Sequence, residues 1–197
     1  MSSILTRLDY EDFLIHVYFG PPANHPLKAY WRRAYRDFNR TLHGISDDVH
    51  QKAEEALNHV LLSVKEMAAP TQAQFDSWHR DACATLAATC RECGYPSFFV
   101  GQAQKWLNMT FKYIYVMGEK RLTGFQHLYG LCHVPLDNIL MDALKEYGFE
   151  PLPCAWSRLN DYDVYLDRQR WVRNRFPLVP LDTEFQLWMH RPLPVTQ

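Results

Sequence analysis

Glycine and proline cut this chain into stretches of helical length, and no useful stretch between them alternates apolar and polar residues with period two. Residues 10–19 read as a short first helix, stopped by Gly20-Pro21-Pro22. Pro26 suits the opening turn of a helix over 27–42, which sets Tyr30, Ala34, Phe38 and Leu42 on one stripe before Gly44 ends it. Ser46 caps a helix over 47–68, whose acidic first turn suits the positive end of a helix dipole. After Pro70, helices are predicted over 71–93, ended by Gly94, and over 98–117, ended by Gly118. A loop through 124–132 leads to Pro135, which opens a helix over 136–147 ended by Gly148. Helices over 161–176 and 183–189 complete the pattern. The expectation is an all-α globule of about eight helices in one domain over 1–197, with room for two helical lobes around a catalytic cleft.

Composition narrows the class. Hydrophobic residues at 47% and charged residues at 22% fit a globular chain with a sizeable core and exclude a disordered tail or a fibrous repeat. Lys and Arg number 21 against 22 Asp and Glu, so no global positive field exists and any nucleic-acid surface must be local. The start lacks a basic stretch followed by an apolar one, and the greasy 106–117 segment is broken by Asn108, Thr110 and Lys112. With five cysteines and no secretory pattern, reduced thiols in a cytoplasmic, monomeric protein away from membranes are expected. Aromatics, at 14%, serve a core or stack on bases equally well.

Two short segments carry chemistry. In Gly101-Gln-Ala-Gln-Lys105-Trp-Leu-Asn-Met109, a lysine sits on a helix with little polar surface, one turn before Met109; Lys112 follows on nearly the same face. Apolar surroundings disfavour an ammonium and favour the neutral, nucleophilic amine. The competing reading is a lysine that snorkels to water at the helix start. In His133-Val134-Pro135-Leu136-Asp137 a carboxylate enters the first turn of an apolar helix, where free N–H groups keep it ionised. A fixed negative charge of this kind stabilises a cation or accepts a proton. It is also what an ordinary dipole-stabilising aspartate looks like.

Together the lysine helix and the Pro-Leu-Asp at the next helix resemble the helix-hairpin-helix DNA glycosylase superfamily, nearest to its archaeal 8-oxoguanine glycosylase branch. The resemblance covers 98–147 by motif and the remainder by helix count. It implies an all-α fold, DNA containing a modified base as partner, and excision of that base, with Lys105 as nucleophile at the sugar and Asp137 assisting. It also implies a Schiff base open to strand cleavage, with Lys112 as the second lysine candidate. Met109, Glu184 and Trp188 would line the base pocket, the last two at the spacing of an acid and a tryptophan in that branch. The base would be 8-oxoguanine or a modified pyrimidine of foreign DNA, in repair or in defence against phage. The usual hairpin glycines are reduced here to Gly101, so the phosphate grip must differ.

Two basic runs offer phosphate contacts: Lys28, Arg32, Arg33, Arg36 and Arg40, and later Arg168, Arg170, Arg173 and Arg175. Arg32, Arg33, Arg36, Lys112, Arg170 and Arg173 are the backbone-contact candidates. The alternative is that these runs are solvated faces paired with Asp37, Asp163 and Asp167. Cys83, Cys90 and Cys93 copy the first three ligands of an iron–sulfur cluster found in some relatives. The fourth position holds Phe99, and no histidines share metal-ligand spacing, so no metal or cofactor is expected. Against the enzyme stands a second class, a non-catalytic helical DNA-binding or protein-interaction module.

Overall fold

The computed structural model describes residues 5–20 and 26–196; Pro21 and Pro22, expected to stop the first helix, lie outside them, as do residues 1–4 and 197. Among the described residues there are eight α-helices, three 3-10 turns and no strand. The α-helices are α1 (Arg7–Phe19), α2 (Pro26–Arg36), α3 (Asp47–Lys65), α4 (Gln72–Glu92), α5 (Val100–Met117), α6 (Asn138–Lys145), α7 (Tyr162–Arg175) and α8 (Pro180–Trp188). No described helix is long and apolar enough to cross a membrane.

The helix signals act locally as the chemistry of their residues requires. Ser46 caps α3 by accepting from the Val49 N–H, and Asp161 caps α7 by accepting from Asp163 and Val164. Thr71 and Gln74 close a reciprocal capping box at the start of α4. Several boundaries differ from the sequence expectation: α1 begins at Arg7 rather than 10, α3 ends at Lys65 rather than 68, and α6 covers Asn138–Lys145 rather than 136–147. The helix predicted over 27–42 stops at Arg36 and passes into a 3-10 turn, Asn39–Thr41, because Gln102 Nε2 of α5 donates to both the carbonyl and the hydroxyl of Thr41 at 3.1 Å. That bond holds the chain in the tighter turn. The last helix begins at Pro180, three residues early, with proline at a position that needs no N–H.

Helix α5 is the axis of the fold. Every residue from Val100 to Phe111 is buried, so it is enclosed rather than amphipathic. It packs against α2, α4 and the 3-10 turn Trp156–Arg158, while α3 packs on α4. Trp106, fully enclosed, donates its indole N–H to the Trp31 carbonyl of α2 at 2.8 Å. Buried side chains from α2 to α8 form one contiguous core.

Gly101 allows the closest of these approaches. Its N–H donates to the Leu159 carbonyl at 2.8 Å, and a Cβ there would collide with the backbone carbonyl of Trp156. Gly101→Ala is therefore expected to lower stability by about 2–3 kcal/mol in urea unfolding, as overpacking against backbone does. Gly130→Ala, with open space around it and no left-handed backbone, should be near neutral.

Candidate functional site

The sequence places Asp137 inside the first turn of a helix; the structure makes it the cap instead. Helix α6 starts at Asn138, and Asp137 is extended, with φ −145° and ψ 177°. Its Oδ1 accepts from the Leu140 N–H at 2.9 Å. Its Oδ2 accepts from Lys105 Nζ at 2.5 Å. One carboxylate thus closes a helix end and holds an ammonium at once. Lys105, whose side chain is 5% exposed, lies deeper than Asp137 at 17%, so the aspartate stands on the solvent side of the pair.

The strap that delivers Asp137 is held by side-chain amides. Gln104 Oε1 accepts from the Leu136 N–H, and its Nε2 donates to the Leu136 carbonyl at 2.9 Å. Gln169 of α7 treats Val134 the same way, accepting from its N–H at 3.0 Å and donating to its carbonyl at 2.9 Å. Each glutamine satisfies one buried peptide unit that no helix or sheet serves. Asn108, one turn above Gln104, donates to Gln104 Oε1, the Val134 carbonyl and the Tyr165 hydroxyl. Its Oδ1 lies 3.0 Å from His79 Nε2, which fixes that nitrogen as the donor. Below the strap, His133 bridges the Tyr165 hydroxyl and Asp76, and Arg173 grips Asp76 through two guanidinium nitrogens. The sequence reading missed this network. Its one advance signal was Gln104 and Asn108 at four-residue spacing on an otherwise enclosed helix.

A second lysine–carboxylate pair lies further along α5. Lys112 Nζ donates to Glu184 Oε1 at 2.7 Å, and the Trp188 indole N–H donates to the same oxygen at 3.2 Å. The predicted acid–tryptophan spacing on α8 is therefore a hydrogen bond in the fold. The Lys112 ammonium also lies 4.9 Å from the Trp188 ring centre and 5.6 Å from that of Phe185. Burial pushes the Glu184 carboxyl above its usual range, although Lys112 and Lys105 pull the other way. Its Oε2 is buried with no hydrogen-bond partner among the described residues. Met109, buried, stands between the two lysines in sequence, one turn after Lys105.

The basic candidates divide. Arg32, Arg36 and Arg170 are exposed, Arg32 meeting Glu54 and Arg170 meeting Asp167. Arg33 pairs with Asp37 at 2.6 Å and covers the Tyr18 ring. Arg173 turns onto Asp76, and Lys112 onto Glu184, so each is already paired within the fold. Asp163, read as a partner for its own helix, pairs with Arg80 of α4 instead. Cys83 and Cys90 are buried on α4, and no three His, Cys, Asp or Glu side chains among the described residues form a group able to hold a metal.

The buried histidines make the network sensitive to acid. Burial holds His79 well below the usual histidine range, and His133 below it too, despite the hydrogen bond to Asp76. The unfolded chain takes up these protons near pH 6.5 while the fold resists them, so stability is full above that pH and falls as pH drops below it. Each histidine contributes up to about 1.4 kcal/mol per pH unit to that slope. Burial works against the Asp76 charge, but hydrogen bonds from His133, Gln72 and Arg173 outweigh it and hold the carboxyl low, adding a second loss below its ordinary 3.8. Urea unfolding between pH 7.5 and 5 should show the first decline, and His79→Gln should flatten it while lowering stability at pH 7.5.

Comparison of the chain with protein-family models, curated proteins and solved structures yields no match to any of the three.

Proposed function

We propose that this protein is a DNA glycosylase, with an associated lyase activity, that excises a modified base through Lys105 and Asp137. The observation that carries the reading is the Lys105–Asp137 contact at 2.5 Å between residues 32 apart in sequence. A nucleophilic amine must lose a proton before it attacks, and a carboxylate within hydrogen-bond reach is the base that takes it. The rest of the site supports the assignment: an amide-clamped strap fixes the carboxylate, and Glu184 offers a vacant acceptor close to both groups. The resemblance of 98–147 to the helix-hairpin-helix glycosylases points the same way.

The steps follow from these groups. The target nucleotide leaves the duplex, and its base stacks near Trp188 with an N–H directed to Glu184 Oε2. The Lys105 ammonium passes a proton to Asp137. The amine lone pair then forms a bond to C1′ as the glycosidic bond breaks, its electrons leaving with the base, which takes the proton from Asp137. The Asp137 carboxylate restored by that transfer faces the positive charge that builds on the sugar. Loss of a further proton and opening of the sugar ring give the imine, from which β-elimination cleaves the strand. In this reading the exposed Arg32, Arg36 and Arg170 meet phosphates, Arg32 and Arg170 exchanging their pairs with Glu54 and Asp167 to do so.

The competing module reading takes the same ion pair as a closed structural bridge, since Lys105 is almost wholly enclosed. Base release separates the two. On duplexes carrying 8-oxoguanine, uracil or C5-modified cytosines, the wild type should free one of these bases. Lys105→Gln and Asp137→Asn should each lower that rate by about a hundredfold or more while keeping DNA affinity. Full activity in both variants, or DNA binding without release from any duplex, contradicts the proposal and favours the module.

A further inference from the structure

Further along α5 from the Lys105–Asp137 pair, between α5, the 3-10 turn Gln126–Leu131 and α8, the surface opens into a cleft of about 670 Å3. Gln126, Tyr129, Asp182 and Gln186 line it, with Lys112 and Trp188, and these last two also hold Glu184 Oε1. The cleft and the proposed base site therefore share a wall. We infer that this cleft receives a neutral, hydroxyl-rich group carried on the excised base, a sugar above all; the inference rests on the glycosylase reading and names its substrate class.

Size gives the first argument. The volume falls within the range of about 300–1,000 Å3 that holds a drug-sized ligand, room for a base together with a substituent. A base that stacks by Trp188 enters this cleft from one side and fills only part of it, which leaves room for a substituent.

Charge gives the second. Lys112, its side chain 12% exposed, lines the cleft, whereas its partner Glu184, at 2%, does not. Elsewhere in the wall the Asp182 carboxylate accepts from the Tyr129 hydroxyl at 2.5 Å. The wall thus carries one charge of each sign, Lys112 paired with Glu184 and Asp182 bonded to Tyr129, and offers no net charge to an ionic substituent. Hydroxyl groups accept from Lys112 and donate to Asp182, and the Gln126 and Gln186 amides do both. Trp188 is 49% exposed, and a half-open indole ring suits the C–H face of a sugar. In this reading Lys112 acts in recognition, since it lies on the cleft wall two helical turns from Lys105.

The test is equilibrium binding of the wild-type protein to labelled duplexes whose target deoxycytidine carries a 2′-fluoro group, which slows base loss and separates binding from cleavage. The C5 substituent is hydroxymethyl, glucosyloxymethyl, aminomethyl or carboxyl. The glucosylated duplex should bind about tenfold or more tighter than the hydroxymethyl one, and Asp182→Asn and Gln186→Ala should each narrow that margin. Tighter binding of the aminomethyl or carboxyl duplex overturns the assignment, as does equal binding of all four. Failure to bind any duplex removes the DNA reading beneath it as well, an outcome distinct from equal binding.

Discussion

The fold turns on how two buried peptide units, at Val134 and Leu136, are satisfied. Neither belongs to a helix or a sheet, and an unpaired buried amide or carbonyl costs about 1–3 kcal/mol. Gln169 and Gln104 each supply one acceptor and one donor to the same residue, a two-point match that fixes where the backbone runs and how it is rotated. Because Asp137 follows directly, its direction is inherited from that match. Asn108 ties the Gln104 amide to α7 through Tyr165, and His133 with Arg173 anchors the strap to α4 through Asp76. Every member gains a partner from a different segment of the chain, so the network forms only when α4, α5 and α7 are assembled.

That rigidity explains how an enclosed ion pair persists. Desolvating an ammonium and a carboxylate costs several kcal/mol per ion, and their attraction offsets it only where geometry is good and the remaining lone pairs are occupied. The α6 cap supplies this for Asp137, whose two oxygens serve the Leu140 N–H and Lys105 separately. The second pair is less complete. Lys112 and Trp188 both use Glu184 Oε1, leaving Oε2 buried without a partner, and burial raises the carboxyl accordingly. The first pair engages both carboxylate oxygens, the second only one. In the proposed reading the first performs chemistry and the second receives the base.

Much of this was legible in the sequence where the cause is local. Glycines with left-handed backbones at 44, 94, 118 and 148 follow the predicted helix ends, and Ser46, Thr71 and Asp161 cap where they were expected or one residue outside. The spacing of Glu184 and Trp188 survives as a hydrogen bond because four residues on a helix are neighbours. What could not be read depends on distant partners. Helix α2 ends early through Gln102, 61 residues beyond the turn it restrains. Arg173 looked like one more surface cation, yet its partner Asp76 lies 97 residues away, and Asp163 crosses to Arg80. Sequence gives a charged residue its local neighbours; the fold decides which long-range partner outcompetes them.

The central claim is that the Lys105 amine, and no other, bonds to the sugar. Borohydride reduction of the protein on its best duplex, followed by proteolysis and mass spectrometry of the modified peptide, tests it most directly. The account predicts the reduced sugar on Lys105 and on no other lysine. A sugar on Lys112, on an exposed lysine or on the amino terminus would contradict it.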